Sequence, residues 1–175
     1  MSGPAWASAP LPPAVDPAAP AVLRAALPDA RRAGASRLTV WGFDVYDASL
    51  WVTPGFRAAD WAQSAFALQL RYLRDFEGRE IAQRSLDEMR RAAPPMTEAQ
   101  SRQWLHAMAS IFPNVRQGDR LLGLYEPGTG VRFFYNGAPI GTVNDASFAQ
   151  RFFAIWLGPQ TSEPAMRDAL LAPLK

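Results

Sequence analysis

Arg37 and Tyr46 are candidates for binding a charged small molecule, because one supplies a cation and the other a phenol. Arg37 begins a predicted strand at 37–41, and Tyr46 lies in a second predicted strand at 44–52, with a bend at Gly42 between them. If the chain reverses at this bend, the guanidinium and the phenol form a carboxylate clamp over an apolar sheet. A one-residue slip would place them on opposite faces, and a surface arginine that starts a strand is the alternative.

Other common signatures of catalysis and metal binding are missing from the sequence. The chain has one histidine and no cysteine, so neither a thiolate site nor a two-histidine metal site is available. We expect His106 to be a partly exposed side chain on a helix. No G-x-S-x-G elbow is present, and the glycines at 128 and 130 lack the lysine and the following helix of a phosphate loop. The sequence therefore predicts no catalytic residue, no metal and no cofactor.

Composition favours one folded domain with an apolar core. Of the 175 residues, 49% are hydrophobic and 19% are charged, which is typical of a globular chain. The formal net charge is +2, and the basic residues are scattered among acidic ones, so nucleic acid is not an expected partner. No apolar run approaches the roughly 18 residues that a transmembrane helix needs. The sequence does not indicate an oligomeric state.

The N-terminal segment differs in composition from the rest of the chain. Residues 1–28 are dominated by alanine and proline, which predicts that no regular element forms there. We therefore divide the chain into a disordered segment at 1–32 and a folded domain at 33–175. The segment Ala5-Trp6-Ala7-Ser8 is similar to a signal-peptidase site, but no basic and apolar region precedes it. The segment is either the remnant of an export leader or a native tail.

The pattern along the folded part predicts three strands, two helices, three strands and two helices. Apolar residues alternate from Phe66 to Tyr72, which indicates a third strand. Helices are predicted at 78–92 and at 146–157, the second capped by Asp145. Two more begin at caps, one at Thr97 with Gln100 as its capping-box partner and one at Ser162. Three short strands are predicted between residues 120 and 143. Asn136-Gly137 marks a hairpin between the last two strands. Segregated runs of this kind predict an α+β fold with an antiparallel sheet.

Four segments of the chain resemble the bacterial branch of the chalcone isomerase-like family. They are V-Y-D-A-S-L-W, L-Q-L-R-Y-L-R-D-F-E-G-R-E-I-A-Q-R-S-L-D-E-M, F-F-Y-N-G-A-P-I-G and F-F-A-I-W-L-G-P-Q-T-S-E-P-A-M-R-D-A-L-L. The resemblance covers about residues 33–172 and keeps the order of the segments. It implies an open-faced β-sandwich, in which a curved antiparallel sheet carries helices packed on one side and a ligand cleft lies between the two layers.

The resemblance also implies a role for the two candidate residues. The family contains plant isomerases and plastid fatty-acid binders without enzyme activity, and in both an arginine near the start of the sheet points into the cleft. Arg37 is the nearest position here, and Tyr46 matches a tyrosine that helps to hold the carboxylate in the fatty-acid binders. The isomerases also carry a tyrosine in the helical region after the third strand, and the stretch P-P-M-T-E-A-Q-S-R-Q-W has none.

These features predict non-catalytic binding of a fatty acid or a similar small apolar carboxylate, with Arg37 and Tyr46 as ligand-binding residues. Two alternatives stay open at this point. One is a weak intramolecular lyase of the chalcone isomerase type acting on a flavonoid-like ligand. The other is a protein-interaction module whose cleft is closed by its own side chains. A periplasmic location is expected, because many bacterial proteins that this chain resembles carry signal peptides.

Overall fold

In the part of the chain that the structure describes, six strands form one antiparallel sheet, and each strand pairs with its neighbour in the sequence. The computed structural model describes residues 19–174, so the predicted processing segment at residues 5–8 lies outside the described residues. The strands are β1 (Arg31–Val40), β2 (Phe43–Val52), β3 (Phe66–Tyr72), β4 (Arg120–Glu126), β5 (Gly130–Tyr135) and β6 (Ala138–Val143). The predicted α+β class with an antiparallel sheet is thereby confirmed.

Five α-helices and two 3-10 segments complete the described part of the chain. The helices are α1 (Ala21–Ala26), α2 (Gly78–Met89), α3 (Glu98–Ile111), α4 (Ala146–Leu157) and α5 (Pro164–Leu171), and the 3-10 segments are Ala58–Gln63 and Ala172–Leu174. Helices α2 to α5 pack on the inner face of the sheet, which is the face that carries Leu50, Leu68 and Phe133. None of the helices between residues 19 and 174 is long and apolar enough to cross a bilayer.

Alternation along the strands divides the sheet into two faces with different cores. The inner face packs against α2 to α5 through a large aromatic core that includes Phe66, Phe152 and Phe153. The outer face carries a smaller core in which Leu23 of α1 contacts a group of sheet residues. That group consists of Trp51, Ala67, Leu122, Leu124 and Phe134. Because side chains alternate along a strand, one sheet supports both cores.

The prediction of an irregular segment at 1–32 is wrong for its described part. Residues 21–26 form α1, and β1 begins at Arg31 instead of at Arg37. The six-residue helix is too short to be stable by itself, and its buried Leu23 gains stability from the outer core. Tertiary packing has therefore overridden the local composition, which is rich in alanine and proline.

Two of the three predicted helix caps form as expected. Thr97 and Gln100 make a capping box at the start of α3, and Asp145 accepts a hydrogen bond from the backbone N–H of Phe148 at the start of α4. The third cap is wrong. Helix α5 begins after Glu163, and the hydroxyl of Ser162 donates instead to Glu88 of α2 at 2.6 Å. Asn136-Gly137 forms the expected hairpin turn, with both residues at positive φ.

Candidate functional site

A cavity of about 330 Å³ lies between the inner face of the sheet and the helices. Its volume falls at the lower end of the roughly 300–1,000 Å³ range of small-molecule pockets. The interior is almost entirely apolar. The apolar and aromatic side chains that line it include Leu68, Leu70, Phe76, Ile81, Phe112, Leu121, Phe133, Phe152, Phe153 and Trp156. Such a wall stabilises an apolar molecule by removing its surface from water.

Polar side chains line the cavity where α2 and the start of α5 meet solvent. They are Glu80, Arg84, Ser85, Glu88, Ser162 and Glu163. We call this group the mouth. Arg84 pairs with Glu88 at 3.3 Å, and Glu88 also accepts the hydroxyl hydrogen bond from Ser162, so Glu88 is the best-anchored group of the mouth. Glu80 and Glu163 form no salt bridge with any residue between 19 and 174.

Tyr46, the second residue predicted to bind the ligand, lines the cavity. Its hydroxyl oxygen accepts a hydrogen bond from the indole N–H of Trp156 at 3.0 Å. Burial raises the pKa of Tyr46 to about 12, with smaller contributions in the same direction from Glu163 and Glu88 and opposite ones from Trp156 and Arg84. The phenol is therefore protonated at neutral pH, and its O–H is free to donate to a ligand.

Tyr72 is a second cavity tyrosine, which the sequence analysis assigned to a buried strand face but not to the site. Its side chain is 4% exposed, and its ring meets that of Tyr46 edge to face with 5.9 Å between the centroids. Its hydroxyl makes no hydrogen bond within the described range. Burial raises the pKa of Tyr72 well above its usual value, so this hydroxyl is also a donor. Alternation along β3 placed Tyr72 on an apolar face, but only the sheet register brings it beside Tyr46.

Arg37 does not reach the cavity, and the prediction that it does is wrong. Its guanidinium lies on the outer face, where Nε donates to Asp47 at 2.7 Å and the terminal nitrogens donate to Asp47 at 3.1 Å and to Asp44 at 3.4 Å. The side chain is 50% exposed. Arg71 lies 3.9 Å from the same Asp47. The arginine is therefore held in an exposed ion-pair network on the face opposite the cavity.

A bulge at Val45 explains why Arg37 and Tyr46 are on different faces. The turn at Trp41 and Gly42 pairs Val40 with Phe43 and Thr39 with Asp44. Regular pairing would continue with Arg37 opposite Tyr46. The register instead shifts between Leu38 and Thr39, so that Leu38 lies opposite Tyr46 and Arg37 opposite Asp47. Because of this one extra residue in β2, Leu38 shares the inner face with Tyr46, and Arg37 shares the outer face with Asp47.

No group of three histidine, cysteine, aspartate or glutamate side chains within 19–174 has a geometry that could hold a metal ion. His106 is exposed on α3, as expected. The cavity instead combines an apolar interior with two hydrogen-bond donors, Tyr46 and Tyr72. This arrangement can hold an apolar molecule and orient an oxygen atom at one of its ends.

Comparison with known proteins identifies the family and the fold of this chain. The family model of chalcone isomerase-like proteins matches residues 33–172, which is most of the chain. This chain belongs to the chalcone isomerase-like family. As a chalcone isomerase-like protein it is similar to a crystal structure of an Arabidopsis thaliana fatty-acid binding protein. The TM-score is 0.61 at 10% sequence identity, with 92% of this chain and 90% of the other covered. At this identity the likeness shows the shared fold.

One curated relative of this chalcone isomerase-like protein comes from Haemophilus influenzae and is named an uncharacterized protein. It is 26% identical over 136 residues, which are 77% of this chain and 65% of the relative. The chain thus matches less than two thirds of that relative's length.

The mouth residues were missed by sequence reasoning, although a signal for them exists. Glu80, Arg84 and Glu88 recur every four residues on α2, so they share one stripe of the helix. Only the packing of α2 over the open end of the sheet shows that this stripe borders a cavity. The α2 helix also contributes Ile81 to the cavity wall.

Proposed function

We propose that this protein binds a small apolar molecule of the fatty acyl class in its cavity without converting it. The observation that carries the proposal is the cavity itself, whose wall is apolar and whose polar lining is confined to two tyrosine hydroxyls and the mouth. The fatty-acid binding of the Arabidopsis protein with the same fold supports this ligand class. Tyr46 is the proposed polar contact from β2, and Tyr72 is added to it from β3.

A titration with the neutral fluorescent dye Nile red tests the proposal. Delipidated protein should enhance the dye's emission with saturable binding, and native mass spectrometry of freshly purified protein should show co-purified lipid. The variant Leu70→Trp places a larger side chain in the cavity and should abolish dye binding. Arg71→Trp, one residue further on the same strand, faces the outer side and serves as the matched control. Equal dye binding by both variants would overturn the proposal.

Ring closure of a chalcone-like enone is a second candidate function. In its favour, the hydroxyls of Tyr46 and Tyr72 could donate hydrogen bonds to the enolate oxygen that develops during closure. Incubation with naringenin chalcone, with the enantiomeric excess of the flavanone as readout, separates this activity from the spontaneous reaction. A racemic product formed at the uncatalysed rate excludes it. The open cavity disfavours the interaction module with a closed cleft.

A periplasmic site of action is also proposed, on the sole support of the sequence resemblance. Fractionation of cells that express the natural gene tests it. Recovery of the protein in the osmotic-shock fraction supports the proposal, and recovery with the cytoplasmic marker contradicts it.

A further inference from the structure

The mouth of the cavity carries more negative than positive charge. Glu80, Glu88 and Glu163 contribute three carboxylates, and Arg84 contributes the one guanidinium among the described residues that line the cavity. Arg84 already pairs with Glu88 at 3.3 Å, and its side chain is 69% exposed, so most of its positive charge is offset or solvated. Glu80 and Glu163 form no salt bridge with any residue in the range 19–174. An anionic head group placed at this mouth would therefore meet like charge.

The buried position of the two tyrosines also disfavours a negatively charged ligand group. Burial is the largest effect that disfavours a negative charge on the Tyr46 oxygen, and Glu163 and Glu88 add to it. The opposite effects of Trp156 and Arg84 are smaller in total. A ligand carboxylate beside that oxygen would experience the same burial and the same neighbours. The outer-face Arg37, which could have neutralised such a carboxylate, is engaged by Asp47.

The hydroxyls of Tyr46 and Tyr72 are both available to donate to an acceptor in the cavity. Tyr46 receives its one hydrogen bond from Trp156 and keeps its own proton available. Tyr72, which is 4% exposed, lines the cavity with a hydroxyl that has no partner among the residues that the structure describes. Among the described residues Trp51 Nε1 is the one fully enclosed side-chain polar atom without a partner, so the Tyr72 hydroxyl is open to the cavity. A ligand oxygen in the cavity can therefore accept a hydrogen bond from it. A cationic head group would suit the carboxylates, but it could not accept a hydrogen bond from either phenol.

We infer that the ligand's polar end is a neutral oxygen acceptor, such as an ester or ketone carbonyl, held by Tyr46 and Tyr72, and that the acidic mouth disfavours free carboxylates. This inference rests on the proposed function and specifies its ligand class. It departs from the carboxylate that the sequence analysis predicted. The acyl chain would lie against the apolar wall, and the carbonyl would accept from one or both phenols.

Displacement of Nile red by three probes with the same twelve-carbon chain tests the inference. The probes are methyl laurate, laurate and dodecylamine, each kept below the concentration at which it aggregates, at pH 7.5 and low salt. We expect methyl laurate to displace the dye at concentrations on the order of tenfold lower than either charged probe. In Glu163→Gln and Glu80→Gln the laurate affinity should rise several-fold. In Glu98→Gln, a carboxylate that is 95% exposed on α3, it should stay unchanged.

The outcomes separate the inference from the function on which it rests. If laurate or dodecylamine binds as tightly as methyl laurate, the neutral-acceptor inference is overturned while the binding function stands. If methyl laurate displaces the dye at lower concentrations than laurate, and Glu163→Gln and Glu80→Gln leave that difference unchanged, the role of the mouth is overturned. If the dye itself does not bind, both the proposed function and the inference fail.

Discussion

Trp156 of α4 donates its indole N–H to the hydroxyl of Tyr46 on β2, with 3.0 Å between the nitrogen and the oxygen. This bond connects the sheet to the helical layer at the wall of the cavity. It fixes the orientation of the phenol, because a hydroxyl that accepts from one side directs its own proton elsewhere. Tyr72, beside it, has no such anchor among the described residues. The two tyrosines therefore differ in what they contribute to stability, although both face the cavity.

This difference predicts that two matched substitutions change the free energy of unfolding differently. Tyr46→Phe leaves the Trp156 N–H without its acceptor and should lower the free energy of unfolding by about 1–3 kcal/mol. Tyr72→Phe removes a hydroxyl that has no protein partner and should leave stability unchanged or raise it. Both variants should weaken binding of methyl laurate. Urea unfolding and dye displacement on the same samples measure the two effects. Equal loss of stability in both would show that Tyr46 is not the anchored member of the pair.

Removal of the Arg37 side chain should leave ligand binding unchanged. In Arg37→Ala the cavity lining is intact, because the guanidinium lies on the outer face with Asp47 and Asp44. Its hydrogen bond to Asp47 holds the pKa of that carboxyl below its usual value, so the pKa of Asp47 should rise in the variant. Dye displacement and an NMR titration of the carboxyl check the two expectations. A severalfold loss of affinity in Arg37→Ala would show that Arg37 contributes to ligand binding.

The hydrogen bonds of Asp119 should make the protein less stable in acid. Its carboxylate accepts from the hydroxyl of Tyr135 at 2.5 Å, from the backbone N–H of Arg116 at 2.8 Å and from the side-chain amide of Asn136 at 3.2 Å. The Tyr135 bond, first of all, lowers the pKa of Asp119 below its usual value. The resulting stability is complete above the unfolded-state pKa of about 4 and is lost as the pH falls through the lower folded-state pKa.

Asp119→Asn should therefore be less stable than the natural protein at pH 7 and should lose less stability on further acidification. Thermal unfolding at pH 7 and pH 2.5 compares the two proteins. Asp29→Asn, an exposed carboxylate between α1 and β1, is the control. Parallel pH profiles for Asp119→Asn and the natural protein would contradict this account of the Asp119 bonds.

Gly34 permits α5 to approach β1 closely. A Cβ at this position would lie 2.4 Å from the carbonyl oxygen of Ala169 and 2.5 Å from that of Leu170. Since backbone atoms cannot rotate away, Gly34→Ala should displace α5 and destabilise the fold by roughly 1–3 kcal/mol or more. Ala35→Ser, at an exposed position on the same strand, should have little effect. Chemical denaturation of both variants tests this close packing. A free energy of unfolding for Gly34→Ala equal to that of the natural protein would contradict it.

Much of the fold follows from local patterns, since alternation, caps and turn residues are properties of neighbouring positions. The capping box of Thr97 and Gln100 and the turn at Asn136-Gly137 are examples. The site follows less well, because it depends on register between strands. One bulged residue, Val45, decides that Tyr46 faces inward while Arg37 faces outward. Helix α1 was missed because its stability comes from the outer core and not from its own sequence.

We expect a ligand to occupy the space between the sheet and α2 to α4, with its polar end at the two tyrosines. A crystal structure with an alkyl methyl ester that carries bromine at the far end of the chain tests it most directly. An anomalous bromine peak should lie among Leu68, Leu121 and Phe133, and carbonyl density should lie within hydrogen-bond distance of Tyr46 or Tyr72. An empty cavity at saturating ligand, or a bromine site on the outer face beside Arg37, would contradict it.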